Sequence, residues 1–136
     1  MSRLRERYLE VDGARARVLE AGEGPTVVVL ASPVIQAASY RPLLHALAPH
    51  ARVVAVDLPG AGRSSRVRSP LTFGEHAAWA CRLLERLGER DVTLVGHSNS
   101  GPVALLAAAR APAGLARLVL ADAVGARPRR SLPRVL

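Results

Sequence analysis

The 136-residue sequence predicts an α/β protein, a mostly parallel, doubly wound sheet entered through an N-terminal β-hairpin. Three observations predict it. Apolar runs at residues 26–31, 52–56, 91–95 and 118–121 are continuous rather than alternating, the pattern of strands covered on both faces. Segments with helical spacing separate them, so strand and helix alternate along the chain. Ahead of these lie two alternating runs joined by Asp12-Gly13, a strong hairpin turn signal.

Residues 5–11 and 14–20 are the hairpin strands. Tyr8 and Glu10 oppose Leu9 and Val11, and Ala16 and Val18 oppose Arg15 and Arg17, with period two. Gly22-Glu23-Gly24-Pro25 reads as a loop before the first parallel strand, Thr26 to Ala31. A loop over 32–39 leads to a short helix, Tyr40 to Ala48, apolar at Leu43, Leu44 and Leu47 and ended by Pro49. Arg52 to Val56 is the second parallel strand, closed by Asp57. Thr72 with Glu75 three residues on is a capping box. The helix behind it puts Phe73, Ala77, Ala80, Leu84 and Leu87 on one face and stops at Gly88. Trp79 falls off that stripe, so it is expected to be half-buried. Asp91 to Val95 is the third parallel strand and Leu118 to Ala121 the fourth, ending at Asp122. These elements place a partial domain at residues 1–124 and an Arg/Pro-rich tail at 125–136.

Composition narrows the function classes. Hydrophobic residues make up 49% of the chain, which favours a packed globule over disorder. The net charge is +8 and every basic residue is arginine. Aromatics are only 3%, too few for basic and aromatic residues to interleave on a nucleic-acid surface, so no specific nucleic acid is expected. The single cysteine, Cys81, allows no internal disulfide and reads as a small core side chain. His45, His50, His76 and His97 lack ligand spacing, so no metal is expected; the first three read as solvated. The longest apolar stretch, residues 27–38, is interrupted by Ser32, Pro33 and Gln36, so no membrane span is expected. The charged start of the chain does not read as a secretory signal, which makes the cytoplasm the expected compartment.

The chemistry is carried by Val95-Gly96-His97-Ser98-Asn99-Ser100-Gly101, between an apolar strand and an Ala/Leu-rich helix. Small residues at 96 and 100 permit a sharp reversal that lifts the Ser98 hydroxyl clear of the sheet. The free N–H groups of the next helix start beside it. This stretch resembles the nucleophile elbow, G-x-S-x-G, of the α/β-hydrolase family, with Ser100 in place of the last glycine. A second stretch, Asp57-Leu58-Pro59-Gly60-Ala61-Gly62-Arg63-Ser64, is similar to the D-x-P-G-x-G-x-S loop of that family. A dinucleotide fingerprint fails there, because Ser65 occupies the third glycine position. Tyr40-Arg41-Pro42-Leu43-Leu44 resembles the family's aromatic-Arg-Pro-Leu-Leu helix start.

The resemblance covers the chain from the hairpin to Asp122 and implies a serine hydrolase acting on ester or acyl bonds. Serine at the elbow argues against the dehalogenase and epoxide-hydrolase branches. In the implied site Ser98 attacks, and the Asn99 N–H stabilises the oxyanion. The second donor position falls on Pro33, which has no N–H, so Val34 takes that role through a shifted loop or one donor is missing. Asp122 is the one acid after Ser98 and stands as candidate triad acid or as a strand-end turn cap. No histidine follows Ser98, and His97, next to it, is a poor base because neighbouring side chains at an elbow diverge. No cofactor is implied; the partner implied is a small ester or acyl substrate. The resemblance is to the N-terminal half of the family fold, C-terminally truncated. This leaves the strand at 117–121 as an exposed edge for self-association or a partner. The alternative reading is therefore a non-catalytic α/β module completed by a partner chain.

Overall fold

A computed structural model describes residues 3–125. Asp12 and Gly13 both adopt positive φ, 54° and 75°, and turn strand β1 (Arg5–Val11) into β2 (Ala14–Ala21). The pair is antiparallel, with Val11 opposite Ala14 and Arg5 opposite Glu20. β2 pairs antiparallel with β4 (Arg52–Val56), and β4 pairs parallel with β3 (Thr26–Leu30). β3 then pairs with β5 (Val92–His97), and β5 with β6 (Leu115–Ala121), both parallel. The sheet order is β1-β2-β4-β3-β5-β6. The expected class holds, a mostly parallel sheet with an antiparallel hairpin at one side.

The alternation of the central strands divides the interior in two. Val28, Leu30, Val54, Val56 and Leu94 pack with helices α2 (Phe73–Leu87) and α3 (Gly101–Ala109) on one face. Val29, Ala31, Val53 and Ala55 pack with α1 (Arg41–Leu47) on the other. This double coverage is why β3 and β4 carry no polar alternation. Among the described residues, no helix is long and apolar enough to cross a membrane.

Several expectations need correction. Residues 37–39, read as loop, form with Tyr40 one turn of 3₁₀ helix whose Ala37 N–H is held by Asp57. Trp79 is buried at 5% exposure, whereas Phe73 is 47% exposed. The helix packs against α3 as well as the sheet, and its buried arc centres on Ala80, Leu83 and Leu84. Arg17 is buried at 1%, because β2 is covered on both faces. His45 and His76 are half-buried rather than solvated, each with an Nδ1 atom out of contact with solvent and without a hydrogen-bond partner. Residues 126–136 of the expected tail lie outside the described residues. The capping box is present as read: the Glu75 N–H donates to Thr72 Oγ1 at 3.2 Å and the Thr72 N–H to Glu75 Oε2 at 2.7 Å.

On the hairpin side, Glu20 accepts from Arg52 at 2.7 Å and from Arg7 at 2.9 Å. Partial burial raises its carboxyl, but the two guanidiniums outweigh this and hold it below the ordinary value of 4.5. A carboxylate depressed in the folded state contributes stability above its unfolded pKa and loses it as pH falls through the folded one. Urea unfolding at pH 7 and below pH 4.5 should therefore show a drop in the native protein. Glu20→Gln should start less stable at pH 7 and drop less on acidification.

Candidate active site

The connections at the C-terminal ends of β3 and β5 leave in opposite senses. β3 continues through α1 on one face, and β5 through α3 on the other, while Leu30 and Gly96 remain paired side by side. Open α/β sheets form a crevice at such a switch point. Ser98 stands there, immediately after β5.

Ser98 has φ +53°, a left-handed conformation that costs a residue with a side chain on the order of 1–3 kcal/mol. Four contacts hold it. A Cβ at Gly96 would lie 2.6 Å from the Ala104 methyl, so only glycine lets β5 approach α3 this closely. A Cβ at Gly101 would lie 2.2 Å from Ala123 Cβ, which seats α3 against the segment after β6. The Val124 N–H donates to the Ser98 carbonyl at 3.0 Å and ties that segment to the turn itself. Ser100 is fully buried, and its hydroxyl donates to the Ala31 carbonyl at 2.7 Å, linking the elbow to the end of β3. The departure from the glycine pattern thus carries a tether.

Asp57, fully buried at the end of β4, organises the facing loops. Oδ1 accepts the Ala37 N–H at 2.6 Å, and Oδ2 accepts the Arg63 N–H at 3.0 Å and lies 3.4 Å from Arg17 Nη1. Arg17 also meets Glu6 at 3.0 Å and holds that carboxyl below its ordinary value. Ser64 donates to the Asp57 carbonyl at 2.7 Å and accepts the Arg17 N–H at 2.8 Å. The Asp57 carboxylate fills the space beside Gly62, where a Cβ would lie 2.2 Å from it. Asp57, Gly62 and Ser64 of that loop therefore each have a geometric cause.

The other candidates fall as follows. Ser98 and Asn99 share a single 3₁₀ turn, Ser98–Ser100, ahead of α3. Val34 lies inside a turn closed by the Ile35 N–H to the Ser32 carbonyl at 3.0 Å, with its side chain 77% exposed. Asp122 follows β6 with φ +44°, exposed and two residues before Val124. Two residues that sequence reading did not join meet behind the elbow: Tyr40 Oη lies 2.7 Å from His97 Nδ1, and accepts the Ser32 N–H at 3.1 Å. Among the described residues no cluster of three or more His, Cys, Asp or Glu could hold a metal ion.

A family model of the α/β hydrolase fold matches residues 30–133. The chain belongs to the α/β-hydrolase family. A membrane phospholipase A, a bacterial virulence factor, superposes with TM-score 0.84 at 30% identity over 93% of this chain and 42% of its own. Cfl2 of Burkholderia cenocepacia superposes with TM-score 0.82 at 36% identity, over 96% of this chain and 46% of its own. Polyketide synthase ThaQ of Burkholderia thailandensis is 35% identical over 115 residues, 84% of this chain but 6% of that protein. This α/β-hydrolase chain thus spans less than half the length of these relatives.

The Asp57 hub gives a direct test. Asp57→Ala removes the acceptors of two loop amides and leaves Arg17 with only its partly exposed partner. Equilibrium unfolding should show a loss of about 3–5 kcal/mol, and Gly62→Ala, which drives a methyl into the same carboxylate, should also destabilise the protein.

Proposed function

We propose that this chain carries the nucleophile side of a serine hydrolase acting on esters or related acyl bonds. The observation behind the reading is Ser98, at φ +53°, in the sharp turn between β5 and α3 at the switch-point crevice. Backbone strain of this kind persists where the surroundings over-determine it, and a half-buried hydroxyl on such a turn remains open to attack a carbonyl carbon. In the proposed reaction Ser98 Oγ bonds to that carbon and its proton passes to a base. The C=O electrons move onto oxygen, where the Asn99 N–H stabilises them, with the Val34 N–H as second donor. Reformation of the carbonyl expels the leaving group, which takes the proton, and leaves an acyl-serine for water to cleave. Asp122 is the proposed acid that orients the base. No histidine follows Ser98 in the 136 residues, and the proposed reaction takes its base from outside them. The proposed compartment is the cytoplasm.

A second reading, a non-catalytic module completed by a partner chain, is favoured by β6. It ends the sheet, and Val119 at 46% and the neighbouring α3 side chains Leu105 at 50% and Leu106 at 42% are exposed. Beside them an apolar cavity of about 260 Å³ runs between Pro102, Leu106, Leu120 and Val124.

Two experiments separate these readings. A fluorophosphonate should modify Ser98 slowly, faster with added imidazole standing in for the base, and not at all in Ser98→Ala. A Ser98 inert with imidazole present would sink the hydrolase reading. Light scattering across a concentration series should show self-association that Val119→Lys weakens. A monomer at every concentration would remove the reason to expect a second chain at β6.

A further inference from the structure

Tyr40 closes the 3₁₀ turn after the β3 loop and is 8% exposed. Its hydroxyl has two neighbours from different walls of the crevice. The Ser32 N–H donates to Oη from the β3 side, and His97 Nδ1 lies at 2.7 Å from the elbow side. The rings of Tyr40 and His97 meet edge to face, 5.6 Å apart at 81°. A 2.7 Å contact between oxygen and nitrogen needs one proton between them. Burial raises the Tyr40 hydroxyl above the ordinary phenol value, only partly offset by the Ser32 amide, so it keeps its proton at neutral pH. With one lone pair engaged by Ser32, that proton is the one available to His97. A neutral imidazole has a single basic nitrogen, and Nδ1, at 2.7 Å, is the one placed to receive that proton.

We propose that Tyr40 is a positioning residue: its hydroxyl donates to His97 Nδ1 and accepts the Ser32 amide, bracing the turn after β3 against the elbow and withholding His97 from service as a base. The Ser32 N–H is thereby committed to Tyr40 and Pro33 has none, so neither can serve an oxyanion on this wall. The proposal rests on Ser98 as nucleophile only for its effect on rate; the proton assignment stands apart from it.

Ring nitrogen NMR of the full chain tests the assignment without any activity. His97 should carry its hydrogen on Nε2, with Nδ1 unprotonated and hydrogen-bonded. In Tyr40→Phe, which keeps the buried ring, the Nδ1 resonance should move toward that of a free acceptor. A hydrogen on Nδ1 in the native protein, or an unchanged His97 spectrum in Tyr40→Phe, would overturn the proposal. Imidazole-assisted labelling of Ser98 should slow between about tenfold and a hundredfold in Tyr40→Phe, because the crevice wall loses its register. Labelling that is unchanged or faster would overturn the bracing role. If native Ser98 is not labelled at all, the nucleophile reading fails, and the NMR result still decides the proton assignment.

Discussion

One buried carboxylate holds the C-terminal end of the parallel strands together. Asp57 sits where β4 ends, and its two oxygens take amide hydrogens from the segment after β3 and the segment after β4. Loops at the end of a parallel sheet have no ladder to satisfy their backbone, so a charge-assisted acceptor between them does the work of a strand pair. Arg17 makes that charge tolerable in the interior, and Glu6 extends the balance toward solvent. Remove the carboxylate and the wall opposite Ser98 loses its reference point.

Most of the fold was legible because it is local. The runs at 26–31 and 52–56 are apolar at nearly every position, which only double coverage explains, and Asp12-Gly13 could hardly be anything but a tight turn. The elbow was legible because few arrangements need small residues spaced around a serine between strand and helix. What stayed hidden depends on partners far apart in sequence. Arg17 looks like an outward residue of an alternating strand until Asp57, 40 positions later, is brought against it. Tyr40 and His97 are 57 positions apart, and neither type by itself predicts the other. Trp79 was misplaced because a single-stripe reading assumes one packing surface, and α2 has two.

The elbow's departure from the family pattern is structural rather than degenerate. Glycine at position 100 would leave room but no donor. Serine gives the Ala31 carbonyl, at the point where β3 runs out, a partner inside the protein. The strained φ of Ser98 is therefore fixed by tethers on both flanking strands, β3 through Ser100 and the β6 exit through Val124. A conformation that is locally unfavourable is held by contacts that each belong to a different element.

The two borders of the sheet differ in kind. β1 presents Arg5, Glu6, Arg7, Tyr8 and Glu10 to solvent, a guarded margin that discourages any incoming strand. β6 exposes Val119 between half-buried Leu118 and Leu120, and its one charged residue is Arg117. Among the described residues, β6 is therefore the less guarded of the two borders. Two copies meeting along this route can join β6 to β6 about a twofold axis, and both of their remaining margins then repel a third. Such an assembly would close at a pair and would not extend into a fibre.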